Sequence, residues 1–152
     1  SVSKQYVQYN KVIKKPSNPK RSKYTFAGWY TDSKLTKAWD FNTKIKSGKT
    51  LYAKWKKISL KQAVISKVQN VSGKKIKVTV KKVSGADGYQ IQYSTKSNMK
   101  SAKTVTSSKT TTTISKLSKG KKYYVRVKAY KKDSTGKKVA GKWSKVKKVK
   151  NI

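Results

Sequence analysis

Residues 117–130 of this 152-residue chain read LSKGKKYYVRVKAY, and they carry its clearest structural signal. From Tyr123 to Ala129 every second residue is apolar, and Arg126 and Lys128 stand between them. This period is typical of a β-strand with one buried and one solvated face. A Ser-Lys-Gly turn signal precedes the strand. We therefore predict a long strand whose odd-numbered residues face a core.

The same alternation recurs upstream. Residues 76–80 alternate Ile and Val with Lys and Thr, and residues 89–93 alternate Tyr and Ile with Gln. Val105 and Ile114 anchor two weaker strands that are rich in Thr and Ser. Turn signals separate these runs, and no amphipathic helix is evident after Trp55. Short strands at this spacing predict a seven-strand immunoglobulin-like β-sandwich of roughly 100 residues.

Residues 61–150 resemble a fibronectin type III domain of the kind common in Gram-positive surface proteins, because the stretch from Leu117 matches the family pattern L-x-x-G-x-x-Y-x-V-x-V-x-A. The resemblance implies structural roles for Leu117 and Tyr123, with the tyrosine ring in the core and its hydroxyl bonded to the backbone of the preceding loop. It also implies that Trp143 and Ser144 begin the last strand. Val80 stands where the family often has a core tryptophan, so we expect a core repacked with smaller residues.

Three aromatic motifs mark the N-terminal third of the chain, which reads YTFAGWYTD at residues 24–32, WDF at 39–41 and TLYAKW at 50–55. Together they closely resemble the Listeria-Bacteroides repeat, the internalin B-repeat family. That family is a compact, β-rich and β-grasp-like module found in tandem on bacterial surface proteins. The resemblance implies that the tryptophans of these motifs are structural and form the module's hydrophobic core, namely Trp29, Trp39 and Trp55.

An alternative is that these tryptophans form a carbohydrate-stacking platform together with Tyr30, Phe41 and Tyr52. The sequence departs from the repeat family at Lys23, which replaces the glycine that normally precedes Tyr24 of the first aromatic motif. The family's first strand is also missing ahead of Val2. We therefore expect the module to be N-terminally truncated, or completed by residues outside this sequence.

The aromatic content falls sharply after Trp55, which indicates a domain boundary. We predict a mainly β chain with a small β-grasp-like repeat module at residues 1–56, a linker at 57–60 and a fibronectin type III domain at 61–152.

Composition argues against catalysis. Lys and Arg number 41 against four acidic residues, all Asp, and His and Cys are absent, so the formal net charge is +37. This inventory lacks most proton-transfer, thiol and metal-ligand chemistry. We therefore predict that the chain is not an enzyme, needs no cofactor and binds no metal. Asp32, Asp87 and Asp133 lie in turn-like contexts, where Asp commonly bonds to nearby backbone.

Strand parity places Tyr124, Arg126 and Lys128 on the face opposite the core, together with Tyr130. Side chains from the next strand could join them there, namely Trp143, Lys145 and Lys147. One hypothesis is a solvated face on which Arg126 stacks against Trp143 as a cation–π pair. The other is a basic, aromatic ligand-binding surface.

The positive charge predicts anionic partners, such as the teichoic acids of a bacterial wall or sulfated and sialylated host glycans. Nucleic-acid binding would be non-specific, because Arg is scarce and no recognition helix is evident. Three other roles stay open: a passive spacer or stalk, protein–protein adhesion that includes strand addition at an exposed edge of the truncated repeat, and a helper module of a secreted hydrolase. We expect an extracellular location at the surface or wall of a Gram-positive bacterium, no membrane insertion, and further domains in a longer chain.

Overall fold

A computed structural model of the chain describes residues 4–150, in which every regular element is a β-strand. The chain divides into two compact units. The first unit comprises Ser1–Ile58 with the short segment Asp133–Lys137, and the second comprises Ser59–Lys132 with Lys138–Ile152.

The first unit contains an antiparallel pair of strands, β1 (Tyr24–Tyr30) and β2 (Tyr52–Lys57). The register slips at a bulge between Phe26 and Gly28, and Gly28 has a φ of 120°, which side-chain-bearing residues rarely adopt. The ring of Phe26 lies edge-on to Trp29 at 5.3 Å and to Trp55 at 5.7 Å. These rings form the aromatic centre of the unit, with Trp29 the most deeply buried of them.

The second unit is a sandwich of two antiparallel sheets. Its strands are β3 (Ile65–Val71), β4 (Lys75–Val80), β5 (Gly88–Ser94), β6 (Lys103–Ser107), β7 (Thr111–Ile114), β8 (Lys122–Lys132), β9 (Lys138–Ala140) and β10 (Lys147–Lys150). One sheet has the order β3-β4-β7, and the other has the order β10-β8-β5-β6 with β9 also paired to β8. Strands β9 and β10 both pair with β8 and are two parts of one last strand, so the two sheets together have seven strands. The immunoglobulin-like sandwich predicted from sequence is confirmed.

The core lies between the two sheets and follows the predicted alternation. Ile76 and Val78 of β4 face Ile91 of β5 and Val125 and Val127 of β8, and all five side chains are fully buried. Val80 is also buried, at the position where a larger residue was expected in the family. The core is therefore built from β-branched aliphatic residues, which suit a pleated, buried surface.

Tyr123 occupies the corner position that the sequence predicts. Its ring is buried in the core with Leu117, and its hydroxyl oxygen accepts a hydrogen bond from the amide of Ser118 at 3.0 Å. The bond fastens the loop before β8 to the strand itself.

One expectation for the last sheet is wrong. Trp143 and Ser144 do not begin the last strand; they lie in an irregular segment between β9 and β10. That segment stays attached to β8 because Ser144 donates its amide to the Val127 carbonyl at 2.7 Å and accepts the Val127 amide on its hydroxyl at 3.0 Å. Tyr130 is on the outer side, but it is buried, because it packs over Gly88, where a Cβ would come within 2.8 Å of its hydroxyl.

The aspartates fasten local backbone. In the first unit, Asp32 accepts bonds from the amides of Thr36 and Lys37, and Asp133 accepts bonds from the hydroxyl and amide of Thr135. The Lys37 amide holds the pKa of Asp32 below its ordinary value, and the Thr135 hydroxyl is the main cause that lowers the pKa of Asp133 to about 2. The turn roles predicted for these two residues are confirmed.

Asp87 precedes β5, but its carboxylate reaches across the sheet. It accepts a bond from the Lys132 amide at 2.7 Å and pairs with the Lys131 ammonium at 3.1 Å. The amide, followed by the ammonium, lowers the pKa of Asp87 below its ordinary value. Asp87 therefore ties β5 to the end of β8, whereas the sequence indicated only a bond within its own turn.

Removing the Tyr123 hydroxyl should destabilise the sandwich. Tyr123→Phe keeps the ring but leaves the Ser118 amide without its acceptor, which should lower the free energy of unfolding by about 1–3 kcal/mol. Urea denaturation checks this, with Tyr124→Phe as the control because that half-exposed tyrosine should change stability by less than about 0.5 kcal/mol. Equal losses in the two variants would refute the role of the corner bond.

Replacing Lys23 with glycine, the residue that the repeat family normally has at this position, should stabilise the first unit. It has a φ of 66° in the turn where the Tyr24 amide donates to the Arg21 carbonyl, a conformation that disfavours side chains. Lys23→Gly should raise the unfolding free energy of the first unit by about 0.5–1 kcal/mol. Tryptophan fluorescence during denaturation checks this. Lys20→Gly is the control, and a gain of the same size there would contradict the explanation.

Acid should weaken the aspartate turns. A lowered pKa in the folded state adds stability that is complete above the ordinary value of 3.8 and is lost as the pH falls towards the folded value, about 2 for Asp133. Asp133→Asn should therefore be less stable than the wild type at pH 6, and the difference should shrink as the pH approaches 2. Urea midpoints over this range provide the measurement, and a constant difference would contradict it.

Candidate functional site

The outer face of strands β8, β5 and β6, in that order across the sheet, carries an ordered row of polar side chains. Arg126 on β8 lies opposite Gln92 on β5, and Gln92 lies opposite Thr104 on β6. The Nε and Nη2 groups of Arg126 both donate to the Gln92 Oε1 atom, at 2.9 and 2.7 Å. Gln92 in turn donates from Nε2 to the Thr104 hydroxyl at 3.3 Å. The guanidinium is thereby held in one orientation by its cross-strand neighbour.

Trp143 lies beside this row. The Arg126 guanidinium carbon is 4.5 Å from the centroid of the indole, and the Lys128 ammonium is also 4.5 Å from it. Contacts of this kind contribute roughly 0.5–1 kcal/mol each at exposed sites. The predicted stacking of Arg126 on Trp143 is present, and Lys128 shares the same ring. We refer to Arg126, Lys128 and Trp143 as the cation–indole cluster.

Tyr124 is on this face as predicted, but the lysines expected to join it are placed differently. Tyr124 is half-exposed on the outer side of β8, but its partner on β10 is Lys148, while Lys147 lies opposite the inward-facing Val125. Lys145 is exposed in the irregular segment before β10. The predicted alternation fails here because residues 141–146 do not form a strand, so parity cannot be counted from Trp143. Lys147 and Lys148 both border a shallow depression beside Tyr124.

The first unit has a cavity of about 670 Å³ that sequence reasoning missed. Its walls include Trp29, Ile45 and Leu51, and the tyrosines Tyr6 and Tyr9 lie at its edge with 97% and 73% of their surface exposed. The buried Nε1 group of Trp29 has no hydrogen-bond partner among the described residues. Only Tyr6 and Tyr9, with the nearby apolar residues Val7 and Ile13 that also line the cavity, could have signalled it.

A carbohydrate platform built from the three aromatic motifs is not what these residues form. Trp29 is buried, Trp39 and Phe41 pack edge to face at 6.5 Å, and Trp55 packs on Phe26. Tyr52 has the greatest exposure of the set, at 39%. Trp29 and Trp55 therefore lie in the aromatic centre of the unit, and Trp39 pairs with Phe41.

Among the described residues, no carboxylate forms an ion pair with the cations of the cation–indole cluster. The four aspartates bond to other groups, and none of them bonds to Arg126 or Lys128 within residues 4–150. In that same part of the chain, no group of three or more metal-ligating side chains comes together. Nor does any helix there have the length and apolar character needed to cross a bilayer.

Comparison with known proteins supports this architecture. A family model for the Listeria-Bacteroides repeat domain matches residues 1–54, and one for the fibronectin type III domain matches residues 65–142. Among solved structures, the chain is similar to the FN1–FN3 domains of chicken CNTN1, with a TM-score of 0.51 and 20% identity, covering 68% of this chain and 35% of that one. It is also similar to the sixth fibronectin type III domain of human fibronectin type III domain containing protein 3, with a TM-score of 0.50 and 19% identity, covering 63% and 89%.

Two curated relatives come from Evansella cellulosilytica. One carries the provisional name of a Gly-rich membrane protein and is 47% identical over 55 residues, which is 36% of this chain and 6% of that protein. The other carries the provisional name of a membrane protein and is 42% identical over 55 residues, which is 36% of this chain and 8% of that protein. The chain thus matches less than a tenth of the length of either relative.

By the match over residues 65–142, the chain belongs to the fibronectin type III family, and it carries a Listeria-Bacteroides repeat ahead of that domain.

Proposed function

We propose that the chain is a non-catalytic accessory region of a longer cell-envelope protein, and that it attaches electrostatically to anionic polymers at the cell surface. The observation that carries this proposal is the uncompensated positive exterior of both units. Four carboxylates stand against 41 cationic side chains, so at least 37 of the cations have no internal carboxylate to match them.

The cations are all available at the surface. No Lys or Arg is buried in residues 4–150, and all of them are exposed except four half-buried ones, namely Lys54, Arg126, Lys128 and Lys131. Lysine is a strongly hydrated point charge on a flexible stem, so it can meet an irregular polyanion without a fixed geometry. A surface of this kind raises the local concentration of polyanions, within a screening length of about 8 Å at physiological salt.

An envelope location is supported by what the chain resembles. The two Evansella relatives are named as membrane proteins, and the repeat and fibronectin type III modules generally occur as accessory parts of larger proteins. Wall teichoic acids and anionic host glycans are the polymers that such a protein would meet. The proposal places the chain outside the cell and leaves catalysis to other regions of the protein, including a hydrolase that it could assist.

A passive spacer is the second candidate, and it is favoured by the tandem arrangement of two small modules. A spacer needs no affinity for the wall, so the two candidates differ in a direct measurement. Non-specific nucleic-acid binding would follow from the same charge, and it would be indifferent to base sequence.

Retention on purified cell walls tests the proposal. We expect the chain to bind walls that contain teichoic acid, to bind teichoic acid-free walls less, and to lose affinity by about tenfold or more between 50 and 200 mM salt. Lysine-acetylated protein is the control, because acetylation removes the charge, and circular dichroism must show that its strands persist. Retention that is unchanged by salt, or the absence of retention, would reject attachment and favour the spacer.

A further inference from the structure

The cation–indole cluster differs from the rest of the charged surface, because neighbouring side chains hold two of its cations close together. Arg126 and Lys128 are two residues apart on the same face of β8, and both contact one indole. Their charged centres are therefore within about 9 Å of each other, twice the 4.5 Å that separates each from the ring centroid. Like charges at this spacing repel, and a bound anion would relieve the repulsion.

The orientation of Arg126 leaves it ready to bind an acceptor. Gln92 occupies the Nε and Nη2 groups of the guanidinium, and the side chain of Arg126 makes no other hydrogen bond to the described residues. The Nη1 group therefore has no acceptor among the described residues and can donate to an outside one. Because Gln92 is itself fastened to Thr104, the donor is positioned before any ligand arrives, which lowers the entropic cost of binding.

The geometry favours one class of anion. A carboxylate has two coplanar oxygens, which one guanidinium edge can satisfy alone. A sulfate ester or a phosphate monoester has three terminal oxygens that point in different directions, so one group can accept from Arg126 and from Lys128 together. The half-exposed ring of Tyr124, two residues before Arg126 on the same face, offers an apolar surface for the sugar that carries the anion.

We infer that the cation–indole cluster is a binding site for a saccharide bearing a sulfate ester or a phosphate monoester, with Arg126 and Lys128 holding the anion. This inference rests on the proposed function, because it names the anionic group that one face of the second unit selects. It adds a localised site to the general attraction of the lysine surface.

Matched variants separate the site from the general charge. Arg126→Gln with Lys128→Gln removes two charges from the cluster, and Lys67→Gln with Lys77→Gln removes two charges from exposed positions on β3 and β4 of the opposite sheet. The probes are a heparin-derived oligosaccharide, the same oligosaccharide after desulfation, and a mannan bearing phosphate monoesters. Affinities are measured by calorimetry at physiological salt, after circular dichroism has shown that each variant is folded.

For the wild type we expect the sulfated oligosaccharide to bind about tenfold or more tightly than its desulfated form, which keeps only carboxylates. The cluster variant should lose this preference and bind about tenfold more weakly, while the control variant should lose less than about threefold. Arg126→Lys keeps the charge but loses the two hydrogen bonds to Gln92, so its affinity should lie between those of the wild type and the cluster variant. The indole N–H signal of Trp143 in nuclear magnetic resonance spectra should shift on binding. The phosphorylated mannan shows whether the source can be phosphate as well as sulfate.

The outcomes are distinguishable. Equal losses in the cluster and control variants, or equal affinity for the sulfated and desulfated oligosaccharides, would overturn the site and leave general electrostatic attachment intact. Failure of the wild-type chain to bind any of the three probes or cell walls would overturn both proposals.

Discussion

Strand β8 is the interaction centre of the second unit, because it pairs with β5, β9 and β10 and separates two very different environments. On one side, Val125 and Val127 are fully buried between the sheets. On the other, Arg126 and Lys128 stand over Trp143. The period of two along a single strand therefore builds the hydrophobic core and the candidate site at once. A change of register by one residue would bury the cations and expose the valines.

The same constraint explains how a chain with a net charge of +37 can fold at all. No lysine is buried in residues 4–150, so water and salt screen the charges while the aliphatic stems can still cover apolar surface. The few aspartates are not spread out as counter-ions. Asp32 and Asp133 accept backbone amides in turns, and Asp87 joins β5 to the end of β8. Acidic residues therefore hold the backbone together, and most of the positive charge has no carboxylate within the chain to match it.

The two units offer different kinds of surface. The first has a cavity with exposed tyrosines at its edge, and its tryptophans lie within its aromatic centre. The second presents a flat sheet face on which cations are fixed by an amide and an indole. Flat, positively charged faces suit extended polymers that run across them, and this is consistent with a module that attaches a larger protein to an anionic envelope.

Local sequence was sufficient where a structural property depends on the residues of one strand. Alternation identified the buried faces of residues 76–80, 89–93 and 123–129, and the pattern around Tyr123 identified a corner bond that the structure contains. Charge counting also reached its conclusion without coordinates, since four acids cannot neutralise 41 cations. Other features depend on pairings between distant residues, which no local period encodes. The bonds of Ser144 to Val127 interrupt the last strand, so that Lys148 and not Lys147 lies opposite Tyr124. The orientation of Arg126 comes from Gln92, 34 residues earlier in the chain, because only the sheet register brings their side chains together.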